Sequence, residues 1–171
     1  MSEPKAEFVR RVSLARLGSE PFRQHIAADA GERAALADRF GLVSLDRLEA
    51  EIELMREPGG TILLSAQFAA EFAQQCIVTL DPVAGSVSER FQLRYGAAEA
   101  EEEMSAGDDD PAFEPLDGEA VDIGEAVAQE FSLALPPFPR APDAVVDKDA
   151  SDGSADGPFA ALSRLARRQP Q

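Results

Sequence analysis

Two side chains with chemistry to offer near neutral pH occur once each in this chain, His25 and Cys76. A histidine beside a thiol can take its proton and leave a nucleophile, so the two would form a dyad if folding brought them together. Nothing in their spacing requires that. The expected roles are a structural or surface histidine and a small buried thiol. One cysteine makes no internal disulfide and cannot fill a zinc site alone. Carboxylates are abundant, 32 Asp and Glu against 16 Lys and Arg, but most fall where nothing would fix their geometry or raise a pKa. Glu49, Glu51 and Glu53 share one face of an alternating run; a cation site is one reading and a solvated sheet surface the plainer one. No Gly-rich phosphate cradle joins a strand to a helix. The sequence therefore assigns no catalytic residue, no metal, no cofactor and no small-molecule substrate, and an enzyme is not expected.

The elements that must position these groups follow from hydropathy patterning. From Thr61 to Val83 the even positions Ile62, Leu64, Ala66, Phe68, Ala70, Phe72, Cys76, Val78 and Leu80 are apolar or small. That period of two predicts a long strand over residues 62–80 with one face in a core, bent or bulged somewhere in 69–75. A helix over 66–75 is the alternative, since Ala, Glu and Gln are good helix formers. Residues 48–55 (LEAEIELM) and 87–95 alternate in the same way, and Pro58-Gly59-Gly60 and Asp81-Pro82 supply the turns between. An antiparallel meander results.

Upstream, residues 8–14 (FVRRVSL) and 22–28 (FRQHIAA) form two short strands, expected to be neighbours across the turn at 18–21. Asp29 and Glu32 have capping-box spacing, and Gly41 suits the position after a helix, so a helix is expected over Ala30–Phe40. Asp122 and Glu125 repeat that spacing before the stripe Ile123, Val127, Phe131 and Leu135, and Pro136-Pro137 ends this second helix.

Charge is unevenly distributed. Residues 1–96 carry 11 Lys and Arg against 14 Asp and Glu; residues 97–158 carry 2 against 18; residues 159–171 carry 3 against none. Residues 97–120 should thus be a flexible acidic insert. Residues 1–138 form one expected α+β domain, in which an antiparallel sheet, open or partly closed into a barrel, is packed by two helices. Residues 139–171 are an expected flexible tail with a brief amphipathic motif at 158–168. No apolar run suits a membrane span, and a soluble, reducing, cytoplasmic setting is the default.

Three segments, in order, resemble the YceD-like family of large ribosomal RNA subunit accumulation proteins. The first holds Gln75, Cys76, Leu80 and Pro82, similar to a Q-x-C-hydrophobic-x-T/C-L-x-P signature. The second holds Asp122, Gly124, Glu125, Leu135 and Pro136, similar to a D-hydrophobic-G-E helix ending in prolines. The third opens with Pro158 and Phe159, similar to a closing N-P-F-A-x-L motif. The likeness runs from about Phe8 to Leu165, and the acidic insert falls where many members have one. Many members also carry a cysteine three residues after the first and more beyond the helix, which suggests a metal site in them. Here Thr79 stands at that position, no cysteine follows the helix, and Gly157 replaces the closing asparagine.

The resemblance implies a factor in large-subunit assembly that binds precursor ribosomal RNA or an assembling ribosomal protein. Phosphate contacts would come from Arg10, Arg11, Arg16, Arg90, Arg94, Arg164, Arg167 and Arg168, although the overall charge of −16 opposes tight nonspecific RNA binding. The alternative is an acidic chaperone or escort whose insert holds a basic protein without RNA contact. The oligomeric state is left open.

Overall fold

A computed structural model of the chain describes residues 7–97, 110–116 and 118–145. The alternating run forms the centre of the fold as a strand. β3 (Ser44–Arg56), β4 (Ile62–Gln75) and β5 (Pro82–Gly96) make the expected antiparallel meander, with Glu49 opposite Ala69 and Gln67 opposite Arg90. The β3–β4 turn depends on Gly59 and Gly60, whose φ values of +100° and +90° penalise any side chain. β4 is therefore not a helix, and it stops at Gln75 instead of Leu80. The expected irregularity lies on its partner: the register slips between Leu45 and Arg47, opposite Phe72 and Glu71. The extra residue, Asp46, is exposed and lets Leu45 and Leu48 both stay buried.

β2 (Phe22–Ala27) pairs with β3, placing Ile26 beside Ala50. β1 (Arg11–Ser13) is not its neighbour, as the sequence had suggested. It pairs instead with β7 (Ala120–Asp122), and a single 3-10 turn at Leu14–Arg16 then leads the chain on towards β2. Part of the expected loose insert is also ordered. β6 (Ala112–Pro115) lies parallel to β5, with Phe113 beside Arg94, because Ala112, Phe113 and Leu116 interrupt the acidic run. Residues 98–109 and 117, and the tail motif with Arg164, Arg167, Arg168, Pro158 and Phe159, lie outside the described residues. The main sheet, ordered β2-β3-β4-β5-β6, is open rather than closed, and the fold is α+β.

Both helices cover one face. In α1 (Ala30–Phe40) the Asp29–Glu32 capping box is formed, and Gly41 ends the helix in the left-handed region. In α2 (Ile123–Ala134) Asp122 caps, but Glu125 does not reach back, and Leu135 lies just past the end. Phe131 joins the layers, its ring edge-on to Phe40 of α1 and to Phe68 and Phe72 of β4. Leu48, Ile52, Leu54, Leu64, Phe68 and Val127 complete this core. The opposite face of the sheet is covered by no described element.

Candidate functional site

The Asp122–Glu125 motif joins three parts of the fold. One Asp122 carboxylate oxygen accepts the N–H groups of Gly124 and Glu125, each at 3.2 Å, and that of Arg10 at 2.9 Å. Ile123 N–H donates to the Arg10 carbonyl at 3.0 Å. Gly124 faces backbone so closely that a Cβ there would stand 2.1 Å from the Phe8 oxygen. Glu125 turns away to a two-oxygen pair with Arg39 at 2.8 and 3.0 Å, which holds its carboxyl below the usual range. These residues seat a helix.

Cys76 occupies the turn after β4 and is fully buried. Its Sγ accepts the N–H groups of Val78 and Thr79 at 3.4 Å and of Ala141 at 3.3 Å. The Pro-rich strap after α2 is held by two further bonds, Ile77 N–H to the Pro139 carbonyl and Gln74 Nε2 to the Pro136 carbonyl. Gln74, which carried no signal in the sequence, makes this link while Gln75 faces solvent. Leu80 sits in the turn at φ +65°, 65 % exposed. Among the described residues no three His, Cys, Asp or Glu side chains converge as metal ligands. His25 is exposed on β2, on the order of 30 Å along the sheet from Cys76, so the two do not meet.

Hydrogen bonds from the Thr79 hydroxyl, then from backbone N–H groups of Thr79, Ala141 and Val78, push the Cys76 thiol down to about 6. An unfolded thiol titrates near about 8.5. The folded pKa is depressed, so this contribution to stability is fully present above about pH 8.5 and is lost as pH falls through about 6. In reducing buffer, the melting-temperature gap between wild type and Cys76→Ala should narrow from pH 9 to pH 5.5. A gap independent of pH would refute an anionic Sγ.

The arginines expected to meet phosphate are not equivalent. Arg10 is spent on the fold: its guanidinium makes two bonds to Glu32 at 2.7 and 2.8 Å and donates to the Ala27 carbonyl. Arg94 is held by Glu57 at 2.7 Å, and Thr61 donates to the same carboxylate. Arg11 is exposed, 3.9 Å from Asp122, and Arg16 lies over the Phe22 ring. Arg90 is exposed and donates to Gln67. Folding thus gives two of the five described candidates a close carboxylate partner within the chain. The partners Glu32 and Glu57 became evident only in three dimensions.

The uncovered face carries a trough of ≈ 950 Å³ bordered by Arg23, Glu51, Glu53, Ser65, Gln67 and Arg90, with Asp110–Ala112 at one end. A smaller hollow of ≈ 230 Å³ beside His25, Glu49 and Ser88 shares Glu51 and Gln67 with it. Strand register places His25, Glu51, Gln67 and Arg90 in one row across β2 to β5.

The fold is a helix-backed, mostly antiparallel sheet that presents an open polar face. The chain belongs to the YceD family. The model of the large ribosomal RNA subunit accumulation protein YceD matches residues 64–165, more than half of the chain, from β4 through α2 and beyond. Membership links the chain to accumulation of large-subunit ribosomal RNA. A search of the curated proteins and a search of the solved structures each returned no match. Among the described residues no helix is long and apolar enough to cross a membrane.

Proposed function

We propose that the protein supports large-subunit ribosomal RNA accumulation as a cytoplasmic binding protein, by holding an assembling ribosomal protein. It performs no catalytic step and needs no metal or cofactor. The observation that carries this reading is how the arginines are used. Arg10 and Arg94 serve carboxylates of the same chain, which among the described candidates leaves only the dispersed Arg11, Arg16 and Arg90 to meet a phosphate backbone, against an overall charge of −16. Ribosomal proteins are typically basic, and an acidic binder attracts them at long range.

Direct contact with precursor RNA is the second reading, favoured by the exposure of Arg90 beside the trough. The two are separated by recovery of the tagged protein from cells, with and without nuclease. Under the first reading a ribosomal protein stays bound after nuclease, and Arg90→Glu leaves its recovery within about twofold. Loss of all partners on nuclease treatment, with Arg90→Glu abolishing particle association, would establish the second instead. The reversal is confined to Arg90, because Glu at position 94 would face Glu57 and disturb the fold.

A further inference from the structure

The uncovered sheet face is not uniformly charged, and its unpaired groups are few. Glu53 pairs with Arg23 at 2.6 Å, and Glu49 and Glu71 pair with Arg47. These side chains are substantially exposed, and such pairs contribute little and exchange readily. Glu51 has no ion pair among the described residues, and Arg90 has none either; its bond is to the amide oxygen of Gln67. The reason lies in the register. Gln67 stands between them, across two strand spacings of about 5 Å each, and its amide oxygen takes the Arg90 guanidinium. An unpaired carboxylate and an unpaired guanidinium therefore face each other across the trough, with amide and hydroxyl groups between.

We propose that this trough takes an extended, lysine- or arginine-bearing segment of a protein partner, laid along β4. This rests on the proposed binding of a ribosomal protein and names the site and the chemistry it selects. Glu49, Glu51 and Glu53 recur at every second residue of one strand, about 7 Å apart. Alternate side chains of an extended peptide have that same spacing. Basic side chains on one edge of the peptide meet this acidic lane. Those on the other edge meet Ser88, Arg90 and Gln92, which favours Ser, Asn or an acid there. The peptide groups between lie over Ser65 and Gln67, whose side chains bond amides. A phosphate backbone would meet Glu51 and Glu53 on one wall of the trough and Glu49 just beyond it, so the site discriminates against nucleic acid.

The test uses the full chain and two fluorescein-labelled octapeptides, acetylated and amidated, one alternating Lys with Ser and one alternating Glu with Ser, together with a single-stranded RNA octamer. Fluorescence anisotropy should show the Lys peptide bound in preference to both other probes. Glu51→Lys should weaken it about tenfold and Arg90→Ala by no more than about threefold. Amide shift changes on adding the Lys peptide should concentrate on β3, β4 and β5, which guards against a variant that binds poorly because it folds poorly. Three results would overturn the site. These are unchanged affinity in Glu51→Lys, loss of binding only when the acids of residues 99–110 are neutralised, and tighter binding of RNA. If the peptide results hold but the protein recovers no ribosomal protein from cells, the site stands and the functional reading fails. If recovery survives Glu51→Lys, the function stands and the site is elsewhere.

Discussion

Gly124→Ala is expected to lower stability by about 3 kcal/mol or more, although it replaces a poor helix former with the best one. The favourable propensity change is about 1 kcal/mol. Against it, the new Cβ would sit 2.1 Å from the Phe8 oxygen, 3.0 Å from the Phe8 carbonyl carbon and 3.1 Å from the Arg10 nitrogen. All three are backbone atoms, which cannot swing aside as a long side chain would. Relief requires α2 to move away from Phe8–Arg10, and that stretches the bonds crossing to Arg10, from its N–H to Asp122 and from Ile123 N–H to its carbonyl. Overpacking in a close-packed region costs roughly 1–3 kcal/mol before those bonds are counted. Gly31→Ala is the matched control. It is also helical, but its Cβ would meet only the Asp29 Oδ1 at 3.4 Å, an ordinary contact. It should be neutral or stabilising by up to about 1 kcal/mol. Thermal unfolding of both variants separates the cases. A Gly124→Ala protein as stable as wild type would mean that α2 does not rest on Phe8.

Phe131→Ala should cost about 3–5 kcal/mol, the range for emptying a large aromatic site in a core. Phe131 is fully buried, with ring centroids 5.9 Å from Phe40, 6.4 Å from Phe68 and 5.7 Å from Phe72. Among the described residues it is the one ring paired with aromatic rings of both α1 and β4, so no single neighbour can collapse into the space without leaving another. Edge-to-face contacts add roughly 0.5–1.5 kcal/mol beyond area burial. Urea denaturation should show a lower midpoint with an unchanged slope. Phe138→Ala removes a side chain that is 74 % exposed and should stay within about 0.5 kcal/mol of wild type. Equal effects at positions 131 and 138 would contradict the layer arrangement.

Much of the architecture follows from local pattern. Leu48, Ala50, Ile52 and Leu54 alternate with glutamates, and a strand so composed must turn one face inward. The Asp29–Glu32 box and Gly41 bound α1 because each satisfies backbone groups within a few residues of itself. The three motif segments carried the family by their order alone. Strand partnership was less legible. β1 looked like a hairpin partner of β2, yet it pairs with β7, more than a hundred residues away. Ala112–Pro115 was submerged in acidic sequence, and only the open edge of β5 makes it a strand.

The candidate site shows the same division more sharply. Composition and spacing determined that this chain has an acidic middle, a single thiol, a core face and a polar face on its central strands. Tertiary structure alone decided which charges are consumed. Arg10 and Arg94 look no different in sequence from Arg90, but Glu32 and Glu57 stand across from the first two and Gln67 from the third. Glu51 is left without an ion pair among the described residues for the same reason. Period-two alternation specifies the face on which a side chain emerges. The residue it meets there is set by strand register and chain packing, and those depend on contacts far apart in the sequence.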